Sequence, residues 1–235
     1  RKALLGELLT GSEPVASGED ILKRSPKLLM PVVLAYERRL RRYGNTPMGV
    51  FWKDGDWQRM RYDILVRVFD DLALAGDLTI HDFGCGYGAF FDYIADHPAM
   101  RASRYIGIDM CAGMIEAAQN RINDPRASFS RHLWATFDAD YTFVSGTFNM
   151  NLDVDETVWD EYIRASLLRL WQKTRRGLAF NLLAASSTEK HDGLYYVAPE
   201  GYLEFARTQI DVNAELILEP PLPDFTILAR RNRSG

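Results

Sequence analysis

The chain has 235 residues, 47% of them hydrophobic and 26% charged, which is enough for one full core of ordinary globular composition. Its net charge of -4 argues against an extended polyphosphate partner such as nucleic acid, whose binding rests on clustered positive charge, and points to a small-molecule substrate. The two cysteines, Cys85 and Cys111, form no CxxC pair and no histidine cluster accompanies them; neither a disulfide framework nor a metal site is expected, and a reducing cytoplasm fits.

Along the chain, Ala3 to Leu9 is apolar but too short, and too broken by Gly6 and Glu7, for a membrane span. Residues 1–75 read as a helical cap or lid. Leu29, Val32, Val33, Tyr36, Leu40 and Tyr43 recur there at three- and four-residue spacing, with Pro31 tolerable in a first turn. The basic run Arg38-Arg39-Leu40-Arg41-Arg42 falls on that helix and reads as a solvated face. Tyr43 to Trp52 is punctuated by Gly, Asn and Pro and is expected to be an ordered, unusually aromatic loop, followed by a helix from Trp57 to Leu72.

From Leu78 onward, short apolar runs alternate with helical ones, the pattern of βαβ units. Parallel strands are predicted near 78–83, 104–109, 127–132, 140–145 and 177–183. Before the last of these, Val158, Trp159, Tyr162, Ile163, Ser166, Leu167, Leu170 and Trp171 form one stripe of a helix, so both tryptophans are expected in the core. Ala214–Leu218 and Phe225–Ala229 are strand-like runs joined by a Pro-rich stretch. With no helix between them they are predicted to form a hairpin, because a parallel return needs a long crossover. The expected fold is α/β: a doubly wound, mostly parallel sheet with an antiparallel last strand over residues 76–235, preceded by the cap.

The stretch Thr79 to Phe91 passes from strand into helix through Gly84, Gly86 and Gly88. Glycines suit a sharp turn at which a ligand approaches the backbone with no Cβ in the way. Gly84-x-Gly86-x-x-Ala89 also fits the nicotinamide-dinucleotide fingerprint, so a dehydrogenase is a competing reading. Asp82 favours the other choice, since an anion there repels a pyrophosphate and welcomes an ammonium or sulfonium group. Asp109 ends the next strand, 25 residues after Gly84, where its carboxylate can accept both ribose hydroxyls of either kind of cofactor.

With a glycine-rich motif ending one strand and an acid ending the next, residues 78–230 resemble the class I S-adenosylmethionine (SAM)-dependent methyltransferases. The resemblance implies their Rossmann-like fold and SAM as cofactor. It implies further that Asp82, Gly84 and Gly86 contact the amino-acid half of SAM, Asp109 the ribose, and Met110 and Met114 the adenine. Within the family the chain is similar to bacterial small-molecule methyltransferases in three places: Ser145-Gly146-Thr147-Phe148-Asn149-Met150-Asn151-Leu152-Asp153, Phe180-Asn181 and Leu194-Tyr195-Tyr196. The loop Gly44 to Trp52 and the helix segment Gln58-Arg-Met-Arg61 look like that group as well, with Phe51 departing from its usual acid.

SAM carries a sulfonium, an ammonium and a carboxylate, so its site needs a cation, an anion and aromatic faces. Arg61 is the expected carboxylate partner, and Gly146 and Phe148 are expected at the cofactor, Phe148 facing the sulfonium. Tyr36 and Trp52 are expected as lid residues against the cofactor and Tyr195 and Tyr196 as lid residues near the acceptor. Asn149 offers a neutral carbonyl acceptor to orient an amine, and Tyr195 or Tyr196 is expected to take its proton through water. Of the four histidines, His191 stands nearest this lid. The leading expectation is methyl transfer to a small amine or carboxylate. Some proteins of this fold that produce azetidine-2-carboxylate are similar in having a helical cap, which implies an alternative: cyclisation of SAM with release of methylthioadenosine. A non-catalytic SAM-binding protein would bind the cofactor without turnover.

Overall fold

A computed structural model describes residues 18–50 and 55–231; the segment Ala3–Leu9 and residues Phe51 and Trp52 lie outside the described residues. Seven strands follow one hydrogen-bonded path: β1 (Thr79–Phe83), β2 (Arg104–Asp109), β3 (Ala127–Arg131), β4 (Ala139–Val144), β5 (Thr174–Ala184), β7 (Glu215–Leu218) and β8 (Asp224–Arg230). They lie in the order β3-β2-β1-β4-β5-β8-β7, and the two-residue β6 (Tyr196–Val197) pairs with the end of β5. The first five are parallel, while β8 runs antiparallel to both β5 and β7, so the last strand in the chain is the reversed one.

Helices α1 (Gly18–Tyr43), α2 (Gly55–Leu65), α3 (Ala89–Ile94), α4 (Ala112–Arg121), α5 (Glu156–Gln172) and α6 (Pro199–Gln209) cover the sheet. One core layer joins α1, α5 and α6 to one sheet face, and a second joins α2, α3 and α4 to the other. Among the described residues no helix is long and apolar enough to cross a membrane. The predicted stripe of α5 is packed as expected: Trp159 is fully buried, and its indole N–H donates to the carbonyl of Phe148 at 2.9 Å. Truncating a buried aromatic of this size costs about 3–5 kcal/mol.

Three local expectations need correction. Pro31 lies in the middle of α1, with Pro26 a turn and a half before it, rather than in a first turn. Each proline removes one backbone donor, and the helix is held by its apolar face, including Ile21, Leu22 and Val32, which packs on α5. The helix expected from Trp57 to Leu72 stops at Leu65. Short 3-10 turns follow at Val66–Val68 and Asp71–Ala75, the second capped by the Asp70 carboxylate on Ala73 N–H at 2.9 Å. Tyr196–Val197 forms β6, a strand too short to leave a period-2 signal.

Strand order reverses between β1 and β4. The chain leaves β1 towards β2 and β3, then returns to β4 on the other side. Such a switch point leaves a crevice beyond the carboxyl ends of the strands, where ligands bind in open α/β sheets.

Candidate active site

The crevice is floored by the turn after β1. Gly84, Gly86 and Gly88 all have positive φ, at 79°, 53° and 84°. A Cβ on Gly84 would overlap Thr147, with Cβ to Cβ at 2.8 Å, and Thr147 cannot withdraw freely because its hydroxyl donates to the Phe83 carbonyl at 2.7 Å. Gly84 and Cys85 N–H both donate to the Ile108 carbonyl, at 2.7 and 3.1 Å, which ties the turn to the end of β2.

Asp109 closes the arrangement. One carboxylate oxygen accepts Gly86 N–H at 2.9 Å and the other accepts Cys111 N–H at 2.8 Å. Each oxygen keeps a second acceptor site, so the carboxylate orders the turn and can still receive a pair of hydroxyls. Burial raises the Asp109 carboxyl, and the backbone N–H donors partly offset that. Asp82 is 2% exposed and accepts the Tyr105 hydroxyl. Burial pushes its carboxyl up to about 7; the Tyr105 hydrogen bond opposes the rise and Asp109 reinforces it. Tyr36 closes over this end, its phenol raised by burial and by Asp109 nearby.

One cavity of about 710 Å³ runs from this turn to the far side of the crevice. It gathers Tyr36, Arg61, Asp82, Gly84, Gly86, Asp109, Met110, Met114, Gly146, Asn149 and Tyr196 from the expected site residues. Asn149 is 8% exposed and its side-chain oxygen is buried without a hydrogen-bond partner, as is the Ser145 hydroxyl on the same wall. Beyond them the wall continues through Ser187, His191, Leu194 and the Pro220–Pro223 turn. The Tyr196 hydroxyl accepts His191 N–H at 3.0 Å there.

Two expected residues lie elsewhere, and a third is not described. Phe148 does not line the cavity: it is fully buried between Phe83 and Tyr162, with ring centroids at 6.3 and 5.9 Å, because Trp159 anchors its carbonyl and turns the ring inward. Tyr195 also points away. Its hydroxyl donates to Asp160 at 3.0 Å beside Tyr202, which removes it as a proton acceptor in the cavity. Trp52 lies outside the described residues.

The residues that hold Arg61, and Gln58 beside it, were not picked out from the sequence as parts of the site. Arg61 is 2% exposed, and its Nε donates to Asp224 at 2.6 Å while a terminal N–H donates to the Trp57 carbonyl at 3.0 Å. Asn181 donates to the same Asp224 oxygen at 2.7 Å and accepts Gly146 N–H at 2.7 Å. The signal available was Phe180-Asn181 together with an acid placed after a Pro-rich turn, a buried arginine needing a nearby anion. Gln58, 7% exposed on the same inner face of α2, also lines the cavity.

A doubly wound sheet with a reversed last strand, a glycine turn at its switch point and an acid ending the neighbouring strand define a methyltransferase of Rossmann-like fold. Residues 80–177 match the family model described as "Methyltransferase domain". A Mycobacterium tuberculosis (strain ATCC 25618 / H37Rv) protein named "Putative methyltransferase Rv1506c" is 35% identical over 161 residues, spanning 67% of this chain and 95% of that protein. The chain therefore belongs to the class I SAM-dependent methyltransferase family, and SAM is its cofactor. Magnesium protoporphyrin IX methyltransferase from Synechocystis PCC 6803, solved with bound SAM, shares the fold at a TM-score of 0.59 and 13% identity, covering 91% of this chain and 98% of its own. Human N-acetylserotonin methyltransferase in complex with SAM does so at 0.53 and 14%, covering 92% and 70%. The cavity suits this cofactor: a cradle with no room for a Cβ at Gly84, two carboxylates beside it, and unpartnered oxygens on the facing wall.

Proposed function

We propose that this protein methylates the amine of a small molecule, with residues 18–75 acting as a cap over residues 76–231. The observation that carries the reading is Asn149: a side-chain oxygen that is buried, unpartnered and set on the cavity wall beyond the glycine turn. An unpartnered buried acceptor costs about 1–3 kcal/mol, a cost that a donor arriving with the substrate removes. A neutral amide oxygen accepts an amine N–H while leaving the nitrogen lone pair free to attack. Ser145 adds a second acceptor on the same wall, and Tyr196 with His191 bounds the acceptor end, from which the displaced proton passes to water.

On this reading Asp82 receives the ammonium of SAM, Gly84, Gly86 and Gly146 present backbone to it, Asp109 receives the ribose hydroxyls, Arg61 faces the carboxylate, and Tyr36, Met110 and Met114 enclose the adenine end. When bound, SAM supplies a methyl group on a sulfonium for in-line displacement. The chain's own contribution is positioning, worth up to about 7–11 kcal/mol in well-ordered intramolecular reactions. The cavity's extension past Asn149 leaves room for a second molecule, and its volume of about 710 Å³ lies within the range of small-molecule sites. The two free, buried cysteines and the net charge of -4 support a cytoplasmic enzyme of small-molecule metabolism.

The test is product analysis by liquid chromatography after incubation with SAM alone and with panels of small amines and small carboxylates. S-adenosylhomocysteine is expected only when an amine is supplied. Methylthioadenosine formed from SAM alone would replace this reading with cyclisation, and turnover only with carboxylates would overturn the amine.

Cofactor affinity is also expected to depend on pH. Asp82 in the free protein titrates near 7, and beside an ammonium it titrates lower. Binding is therefore at full strength above that pH and weakens as pH falls, by about tenfold from pH 8 to pH 6 if only the carboxylate form binds. Calorimetric titration across this range checks it, and Asp82→Asn should flatten the profile.

A further inference from the structure

Among the described residues Arg61 is the one arginine lining the cavity, and it brings its own anion. Arg61 borders the cavity, and Asp224 stands behind it, 4% exposed and not itself part of the lining. The two side chains are 3% and 2% exposed and meet at 2.6 Å. Both donors at this site, Arg61 Nε and Asn181 Nδ2, converge on one Asp224 oxygen, Oδ2, while Oδ1 is buried without a partner. Through Asn181 and the Gly146 N–H, the same carboxylate is linked to the loop after β4 that packs on the glycine turn.

A guanidinium cannot shed its proton in a protein, so its charge at the wall is cancelled only by a neighbouring anion. SAM and its product S-adenosylhomocysteine differ by the methyl group and the charge of the sulfonium; the product is a neutral thioether. An uncancelled cation at this wall would therefore act against SAM more than against the product, in a buried setting that salt screens poorly.

We propose that Asp224 is a positioning residue that holds and neutralises Arg61, and that it thereby sets the preference of the cavity for the sulfonium cofactor over the neutral product. The inference rests on the reading that Arg61 faces the cofactor. It explains why a site for a cation places its arginine against a buried acid, where a carboxylate partner alone would call for an unopposed one.

Asp224→Asn tests it cleanly, because the oxygen that takes both hydrogen bonds can be retained and the atom replaced makes none. Dissociation constants for SAM and for S-adenosylhomocysteine are measured calorimetrically in the wild type and the variant, and their ratio compared. The ratio of SAM to S-adenosylhomocysteine constants is expected to rise on the order of tenfold, as a unit charge released near the ligand implies. Any general loosening of the site affects both ligands alike and cancels in the ratio. The double variant Arg61→Gln/Asp224→Asn, with both charges gone, is expected to return the ratio to within about threefold of the wild type. If Asp224→Asn does not fold, Asp224→Ser is read in the same way. A ratio unchanged within about twofold, or one that stays raised in the double variant, overturns the inference while leaving the wild-type site intact. Absence of wild-type binding to either ligand overturns the site reading along with it.

Discussion

Asp109→Ala is expected to weaken SAM binding by at least about two orders of magnitude and to lower the stability of the free protein as well. The carboxylate has two tasks. Facing the chain, it accepts Gly86 and Cys111 N–H at 2.9 and 2.8 Å and so fixes the curvature of the glycine turn. Facing the cavity, it offers the acceptors proposed for the ribose. Two hydrogen bonds to a charged group, at about 1.5–3 kcal/mol each, correspond to a hundredfold or more in affinity. Alanine also strands two backbone donors, at a further cost of about 1–3 kcal/mol each if water does not reach them. Asp109→Asn is the informative companion: one oxygen remains for one N–H, but the amide turns a donor towards the other. Its stability should fall between the two while its SAM affinity stays close to that of alanine. Calorimetry and thermal unfolding check both parts, and a dissociation constant within about threefold of the wild type would refute the role.

Gly84→Ala should disable the cofactor turn almost as completely, by a steric rather than an electrostatic route. The backbone there has φ 79°, and the new methyl would fall 2.8 Å from Thr147 Cβ and closer still to its branches. Left-handed backbone costs an L-residue about 1–2 kcal/mol, and overpacking adds about 1–3. The melting temperature should drop by about 10 °C for a domain of this size, and SAM binding should fall beyond easy detection as the turn shifts. Gly86→Ala provides the contrast. Its φ is 53° and the nearest atom, Val50 Cγ1, is 3.4 Å away, so only the backbone cost applies and the loss should be about half as large. Thr147→Ala should rescue Gly84→Ala in part, because it clears the branches but leaves the Cβ overlap. Equal losses at the two glycines would show that Thr147 is not the obstacle.

Much of this arrangement is legible in the sequence. Strand and helix alternate in the chain with a change of period that needs no tertiary information, and the hairpin of β7 and β8 followed from the missing crossover. The glycine turn and its two acids were readable because each glycine answers a backbone demand and each acid ends a strand. What escaped was pairing across distance. Nothing local to Arg61 indicates that its partner is Asp224, 163 residues later, because that contact depends on how the reversed strand docks beside β5. Phe148 and Tyr195 failed for a related reason: an aromatic next to a site residue points either into the cavity or into the core, and the choice was made by Trp159 in one case and Asp160 in the other. The end of α2 was misjudged because Val66 to Leu72 continues an apolar pattern through residues that adopt 3-10 turns and extended backbone.

The order of the site also explains which parts tolerate change. Asp109 and the glycine turn form one hydrogen-bonded unit at the ends of β1 and β2, and the parallel register that pairs Asp82 with Gly107 sets Asp82, held by the Tyr105 hydroxyl, beside it. The end proposed for the acceptor is built from connections after β4, β5 and β7, and connections accept substitution more readily than strands do. Substrate choice is expected to move with those loops while the cofactor stays the same.

A calorimetric titration of SAM into the wild type and into an Asp82→Asn/Asp109→Asn double variant bears most directly on this arrangement. The wild type should bind one SAM per chain with measurable heat, and the double variant should show none at the same concentrations. Absence of heat with the wild type, or binding undiminished in the double variant, would contradict the claim that these two carboxylates hold the cofactor.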